Sequence, residues 1–352
     1  MPYVNVASWT DELLQFQHKL KRGWSNLARF SRPGYAETPR ELVFEQDGMR
    51  LWRFRGETPP AGRPPLLIVY ALVNTVWMTD LQADRSLVRN LLAEGEDVYL
   101  IEWGFPSPID RWLGLSDYID LRLGRCVDEV SSRHGSEPIH LLGICQGGVF
   151  ALCFAALNPD KVARLITMVT PVDFHTPDNM LGMWSRHVDV DRLVAGGGNI
   201  PSALINSVYL NLKPLRLHQQ KYVDLVNLLD DPGRLENFMR MERWIFESPD
   251  LAGEAFRQFI KQFYQANGLI AGGLRIGDRE VRLADITAPV FNIFAAQDHL
   301  VPPSAARALQ GRTAGSYEEW MFQGGHIGIY VSARAQREVA PKISAWLDRV
   351  TS

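Results

Sequence analysis

The chain has 352 residues, 46% hydrophobic and 22% charged, the composition of a globular protein long enough to bury a large core. Its formal charge of −3 leaves no basic surplus for a nucleic-acid partner, and its three cysteines, Cys126, Cys145 and Cys153, form no CxxC pair, which argues against a disulfide framework or a thiolate zinc site. The chain does not open on a signal-peptide pattern and no apolar run reaches the roughly 18 residues of a membrane span, so a reducing, cytoplasmic setting is expected.

Residues 1–40 carry an amphipathic segment, with Trp9, Leu13, Phe16, Leu20, Trp24 and Leu27 at helical spacing and Lys19, Lys21 and Arg22 interspersed. Such a helix packs on its own domain or docks on a partner or an apolar particle surface. Short β-rich runs follow in ELVFEQ and MRLWRFRG. Three nearly continuous apolar strands then appear: LLIVYAL (66–72), DVYLIEW (97–103) and IHLLGIC (139–145). The segments between them, LQADRSLVRNLLAEG and LSDYIDLRLGRCVDEVSSRHG, read as amphipathic helices. Strands apolar on both faces and separated by helices predict an α/β fold with a mostly parallel central sheet covered on both sides.

The alternation continues through ARLITMVTPV, is interrupted, and resumes with APVFNIFAAQD (288–298), SYEEWMFQGGH (316–326) and a closing helix in AQREVAPKISAWLDRV. The interruption, residues 174–285, is rich in Met, Trp and Phe and shows helical spacing. It is expected to be a mostly helical cap inserted into a core made of 41–173 and 286–352. The Met and aromatic stripe from Phe238 to Phe246 reads as core packing, with a substrate tunnel as the alternative.

The motif with chemical content is Gly143-Ile144-Cys145-Gln146-Gly147, a Gly-X-Cys-X-Gly placed after an apolar strand and before a helix running to Asn158 and Pro159. This is the pattern of a nucleophile elbow: a strained strand-to-helix turn that projects its central side chain from the carboxyl edge of the sheet. The helix N-terminus favours a thiolate there. In such folds an acid follows on a late strand and a histidine follows the last strand. Asp298 ends FNIFAAQD and His326 stands in QGGHIG, both at predicted strand ends. A thiol with an ordinary pKa of about 8.5 needs a base near neutrality, so His326 would take the Cys145 proton and Asp298 would orient and charge-stabilise the ring. Two backbone N–H groups would hold the oxyanion: Gln146, directly after the nucleophile, and Val73, in the loop YALVNTVW after the third strand.

Cys126 and Cys153 lie on predicted helices and read as core residues. His299 has a possible substrate or supporting role beside Asp298. The other histidines form no metal-ligand array, AGGGN around Gly196 lacks the Lys-Ser/Thr of a phosphate loop, and no metal or cofactor is assigned.

Beyond the elbow, the chain from about Glu41 onward resembles the polyhydroxyalkanoate synthases, in particular the short catalytic subunit of the two-component class III enzymes. The resemblance is carried by YALVN (70–74), DLQADRSL, DVYLIEWG, LLGICQGG, MVTPVDFHTPDN, NLLDDP, RQFIKQFYQ, QDHLVPP and GGHIGIYVS. It implies an α/β-hydrolase fold and a substrate that spacing does not reveal: (R)-3-hydroxyacyl-CoA, commonly 3-hydroxybutyryl-CoA, polymerised with release of CoA through an acyl thioester on cysteine. The family's catalytic Cys, Asp and His correspond to Cys145, Asp298 and His326, and the Asp is also thought to help activate the attacking hydroxyl. The resemblance further implies an accessory subunit of a second type, homo-oligomers, and association with polyester granules. One departure is visible, since Asn74 is followed by Thr75-Val76 where the family pattern has Arg-Pro. Two other readings of the same residues are a cysteine thioesterase or polyester hydrolase, and an inactive scaffold for granule or accessory subunit.

Overall fold

Eight strands form one sheet: β1 (Arg40–Gln46), β2 (Met49–Phe54), β3 (Leu66–Val69), β4 (Val98–Glu102), β5 (Ile139–Ile144), β6 (Val162–Met168), β7 (Val290–Ala295) and β8 (Tyr317–Phe322). The structure is a computed structural model and describes residues 38–58, 60–212 and 231–349, with Gly34, Leu225, Leu228 and Leu229. The amphipathic segment expected between Trp9 and Leu27 lies outside the described residues. The spatial order is β1-β2-β4-β3-β5-β6-β7-β8. The pairs β1–β2 and β2–β4 are antiparallel and every other pair is parallel.

The parallel centre follows from the sequence. All residues of β3, β5 and β7 are buried, which only a sheet covered on both faces allows. Alternation then divides them: Leu67 and Val69 face one core cluster, Leu66 and Ile68 the other. The helices before the insertion are α1 (Leu87–Ala93), α2 (Gly124–Arg133) and α3 (Gln146–Leu157). The insertion region carries α4 (Met180–Ser185), α5 (Val190–Gly197), α6 (Ser202–Asn211), α7 (Pro232–Phe246), α8 (Gly253–Phe259) and α9 (Gly268–Ala271). After it come α10 (Pro303–Arg307), α11 (Gly328–Val331) and α12 (Ala333–Leu347). Helices α2 and α3 cover the Leu67 face, and α1 and α12 the Leu66 face. Helix α3 is buried along almost its whole length, the environment an apolar, non-amphipathic sequence demands.

Three local readings differ from the structure. Residues 81–95 do not form one helix, because Asp80–Gln82 and Arg85–Ser86 pair as a short hairpin before α1. The cause is tertiary: the buried Asp80 carboxylate accepts hydrogen bonds from Thr38 N, Thr38 Oγ1 and Ser86 Oγ, at 3.1, 2.7 and 2.6 Å. Ser86 Oγ in turn caps α1 by accepting from Arg89 N. The run leading into α2 takes a π-helical turn over Asp117–Leu123. Within residues 174–285, Arg275–Ile276 and Arg279–Glu280 form an antiparallel hairpin that helical spacing gave no sign of.

Aromatic side chains fasten the insertion to the sheet layer. Trp103 after β4 meets Phe150 of α3 edge-on, Phe150 meets Phe259 of α8, and Phe259 meets Phe174, with ring centroids 6.1–6.3 Å apart. Each such contact adds about 0.5–1.5 kcal/mol beyond the area it buries. Among the described residues, no helix is long and apolar enough to cross a membrane.

Candidate active site

Strand order reverses at β3, whose neighbours β4 and β5 lead away on opposite sides. In open α/β sheets ligands bind outside the carboxyl ends of the strands at such a point. Four loops leave the same carboxyl edge: Tyr70–Thr75 after β3, Cys145 after β5, Asp298 after β7 and His326 after β8.

Cys145 has φ 55° and ψ −122°, a backbone region costly for a residue with a β-carbon. The turn is held by Cys145 N–H donating to Met168 O at 2.9 Å and by Cys145 O accepting from Gly148 N–H at 3.0 Å. Glycines make that turn possible by close approach. A β-carbon on Gly147 would collide with the Val69 carbonyl, and one on Gly148 with the Thr170 hydroxyl. The sequence expectation of a strained elbow is met, and the thiol is half-buried.

His326 is 7% exposed and its Nδ1–H donates to Asp298 Oδ2 at 2.6 Å. The other carboxylate oxygen, Oδ1, accepts from Leu300 N–H and Val301 N–H, both at 2.9 Å, so the acid is fixed by backbone as well as by the ring. Burial by itself would lower the His326 pKa. The adjacent Asp298 carboxylate and the Cys145 sulfur outweigh burial and raise it to about 10. With Nδ1 committed to Asp298, Nε2 is the nitrogen left for the thiol. The structure thus pairs His326 with Asp298 at the sheet edge that also carries Cys145.

The loop after β3 meets the elbow directly. Leu72 N–H donates to Gln146 Oε1 at 3.0 Å, which leaves the Val73 N–H as the next donor along the loop. Gln146 opens α3, so its N–H has no intrahelical acceptor. The Thr75-Val76 pair marks the start of a 3-10 turn, Val76–Thr79.

The other two cysteines stand apart from this site. Cys126 and Cys153 are fully buried, and burial pushes both thiols far above their ordinary range. Among the described residues no group of three His, Cys, Asp or Glu could hold a metal. Trp244 in the Phe238–Phe246 stripe is buried, whereas Phe246 is 60% exposed, so the stripe is not uniformly core.

Four tyrosines that sequence reasoning did not single out, Tyr70, Tyr209, Tyr264 and Tyr330, interact electrostatically with Cys145, and burial keeps each hydroxyl protonated. Tyr70 follows β3, Tyr330 lies in α11, and the other two belong to the insertion. Tyr70, Tyr264 and Tyr330 lie within segments that carry the family resemblance, the one sequence signal that could have flagged them. Two narrow crevices flank the loop after β3 on the insertion side, one lined by Val73, Asn74 and Ser248 and the other by Leu72, Trp103 and Leu251.

A family model described as the alpha/beta hydrolase fold matches residues 64–333. A "Poly(3-hydroxyalkanoate) polymerase subunit PhaC" of Allochromatium vinosum is 55% identical over 342 residues, covering 96% of each chain. Proteins of the same name from Thiocystis violacea and Synechocystis sp. are 51% and 47% identical, covering 96% and 98% of this chain and 96% and 94% of theirs. Among solved structures, a Paleococcus ferrophilus monoacylglycerol lipase superposes with a TM-score of 0.51 at 17% identity, covering 84% of this chain and 98% of its own; that likeness speaks to the fold alone.

Proposed function

The chain belongs to the poly(3-hydroxyalkanoate) polymerase subunit PhaC family and is a polyhydroxyalkanoate synthase, and we propose that it works through a Cys145–His326–Asp298 triad with the Val73 and Gln146 N–H groups as oxyanion hole. The observation that carries this reading is the hydrogen bond from His326 to a backbone-fixed Asp298 carboxylate, at the sheet edge that also carries the strained Cys145 turn.

In the proposed cycle, His326 carries the Cys145 proton on Nε2, as its raised pKa implies, and the Sγ thiolate attacks the thioester carbon of an (R)-3-hydroxyacyl-CoA. The resulting oxyanion is held by the two N–H groups. Collapse breaks the carbon–sulfur bond to CoA, whose thiolate takes the proton from His326 and leaves as free thiol. The acyl group now sits on Cys145 as a thioester. The hydroxyl of a second acyl unit or chain gives its proton to His326 and attacks that thioester. An ester forms, and the Cys145 sulfur leaves as the thiolate beside the protonated ring. Thioester-for-thioester exchange is nearly balanced, so cysteine suits the first half-reaction better than serine would.

Water competes for the acyl-enzyme. The aromatic insertion and the protonated tyrosines supply a site that disfavours water and offers donors to ester oxygens. The insertion spanning 174–285 is proposed as a cap in this sense, with 41–173 and 286–352 as the catalytic core. The word "subunit" in the names of the relatives supports an assembly, and we extend the proposal to an accessory subunit, homo-oligomers and residence on polyester granules.

The test is incubation of the purified chain with 3-hydroxybutyryl-CoA, with and without an accessory synthase subunit. Polymer with stoichiometric CoA is expected. Free 3-hydroxybutyrate in place of polymer would overturn the reading in favour of a hydrolase, and absence of CoA release in both arms would favour a scaffold.

A further inference from the structure

The oxyanion loop is held from two directions, and only one of them is the sheet core. Val73 lies between three anchors. Leu72 N–H is bound by Gln146 Oε1 of the elbow helix. The Asn74 side chain meets Ser248 Oγ, and the Thr75 carbonyl accepts from Trp244 Nε1–H at 2.8 Å. Trp244 and Ser248 both belong to the inserted region, at the end of α7 and just after it. We infer that the insertion completes the oxyanion hole, with Ser248 and Trp244 as positioning residues that fix the Val73 N–H.

The contacts are specific. Asn74 has φ 62°, the left-handed region that Asn tolerates better than most residues but that still needs outside support. Ser248 has a single hydroxyl proton and two neighbours, Asn74 and the Ile245 carbonyl at 2.8 Å. The hydroxyl proton is shared between two acceptors, Asn74 Oδ1 and the Ile245 carbonyl. A relay then runs from the loop into the last turn of α7. The Thr75 hydroxyl is buried and makes no hydrogen bond, so its carbonyl provides the anchoring at that position. Trp244 is 4% exposed and packs in the Leu66-side core, which makes its indole N–H a rigid donor.

Any movement of α7 would loosen Asn74 and Thr75 together, so the Val73 donor is aligned only while α7 keeps these contacts.

The test rests on Cys145 being the acyl acceptor and compares two reactions of the same sulfur. Acylation by 3-hydroxybutyryl-CoA passes through an oxyanion, whereas alkylation by iodoacetamide does not. Ser248→Ala and Trp244→Phe should each slow single-turnover acylation of Cys145 by about tenfold or more. Alkylation should stay at the wild-type rate or rise, and Ser248→Thr should restore acylation. Resistance of the buried Cys126 and Cys153 to iodoacetamide certifies that each variant is folded, and if one variant unfolds the other decides. Wild-type acylation rates in the folded variants would overturn the inference, as would equal losses in both reactions. Failure of the wild-type protein itself to acylate would instead sink the triad reading above.

Discussion

At the residue scale the site turns on His326. Its raised pKa has a sign that can be worked through to stability. The folded value of about 10 exceeds the ordinary 6.5, so the pairing with Asp298 stabilises the fold fully below about pH 6.5 and fades as the pH climbs towards 10. Denaturant unfolding of wild type and Asp298→Asn should show the largest gap near pH 6 and a much smaller gap near pH 10; a gap that widens with pH would contradict the assignment. Asp298→Asn should also lower synthase turnover by a factor on the order of 10³–10⁴, since the carboxylate sets ring tautomer and charge. Much of this was readable in the sequence. The glycines around Cys145 specify a turn with no room for β-carbons, and Asp298 and His326 stand at strand ends that apolar runs mark plainly. The tyrosines were not readable, because Tyr209 and Tyr264 reach the sulfur only through the packing of a region whose helical spacing gives no inter-helix geometry.

At the scale of elements, the decisive join is between the insertion and α3. Phe259 touches Phe150, Phe174, Phe263 and Tyr264, which ties α8 both to the elbow helix and to one of the tyrosines beside Cys145. Phe259→Ala should cost about 3–5 kcal/mol in urea unfolding, the usual range for emptying a buried aromatic site. It should also raise the ratio of free 3-hydroxybutyrate to polymer, measured on the same sample, because the loosened join lets water reach the acyl-enzyme. Entry to the insertion is pinned in a similar way. Asn267, with φ 52°, accepts from Phe174 N–H and donates to Asp173 Oδ1, while His175 Nε2 meets the Tyr264 carbonyl at 2.9 Å. The period-2 and buried-run patterns of β3, β5 and β7 exposed the sheet in the sequence. The hairpins at Asp80–Ser86 and Arg275–Glu280 were hidden, since each is made of a few residues and the first is set by the distant Thr38.

At the scale of the whole molecule, the fold is a switch-point sheet to which the inserted region is joined through α3 and the loop after β3. Polymer chemistry could not be deduced from composition or spacing, because the same three side chains serve hydrolases. Segments spread from Tyr70 to Ser332 carried that information, and relatives 47–55% identical over nearly the full chain supply it.

The most direct test of the central claim is peptide mapping by mass spectrometry after a single turnover with 3-hydroxybutyryl-CoA. A 3-hydroxybutyryl thioester should appear on the peptide holding Cys145, disappear in Cys145→Ala, and persist in Cys126→Ala and Cys153→Ala. Acyl adducts retained by Cys145→Ala would contradict the account.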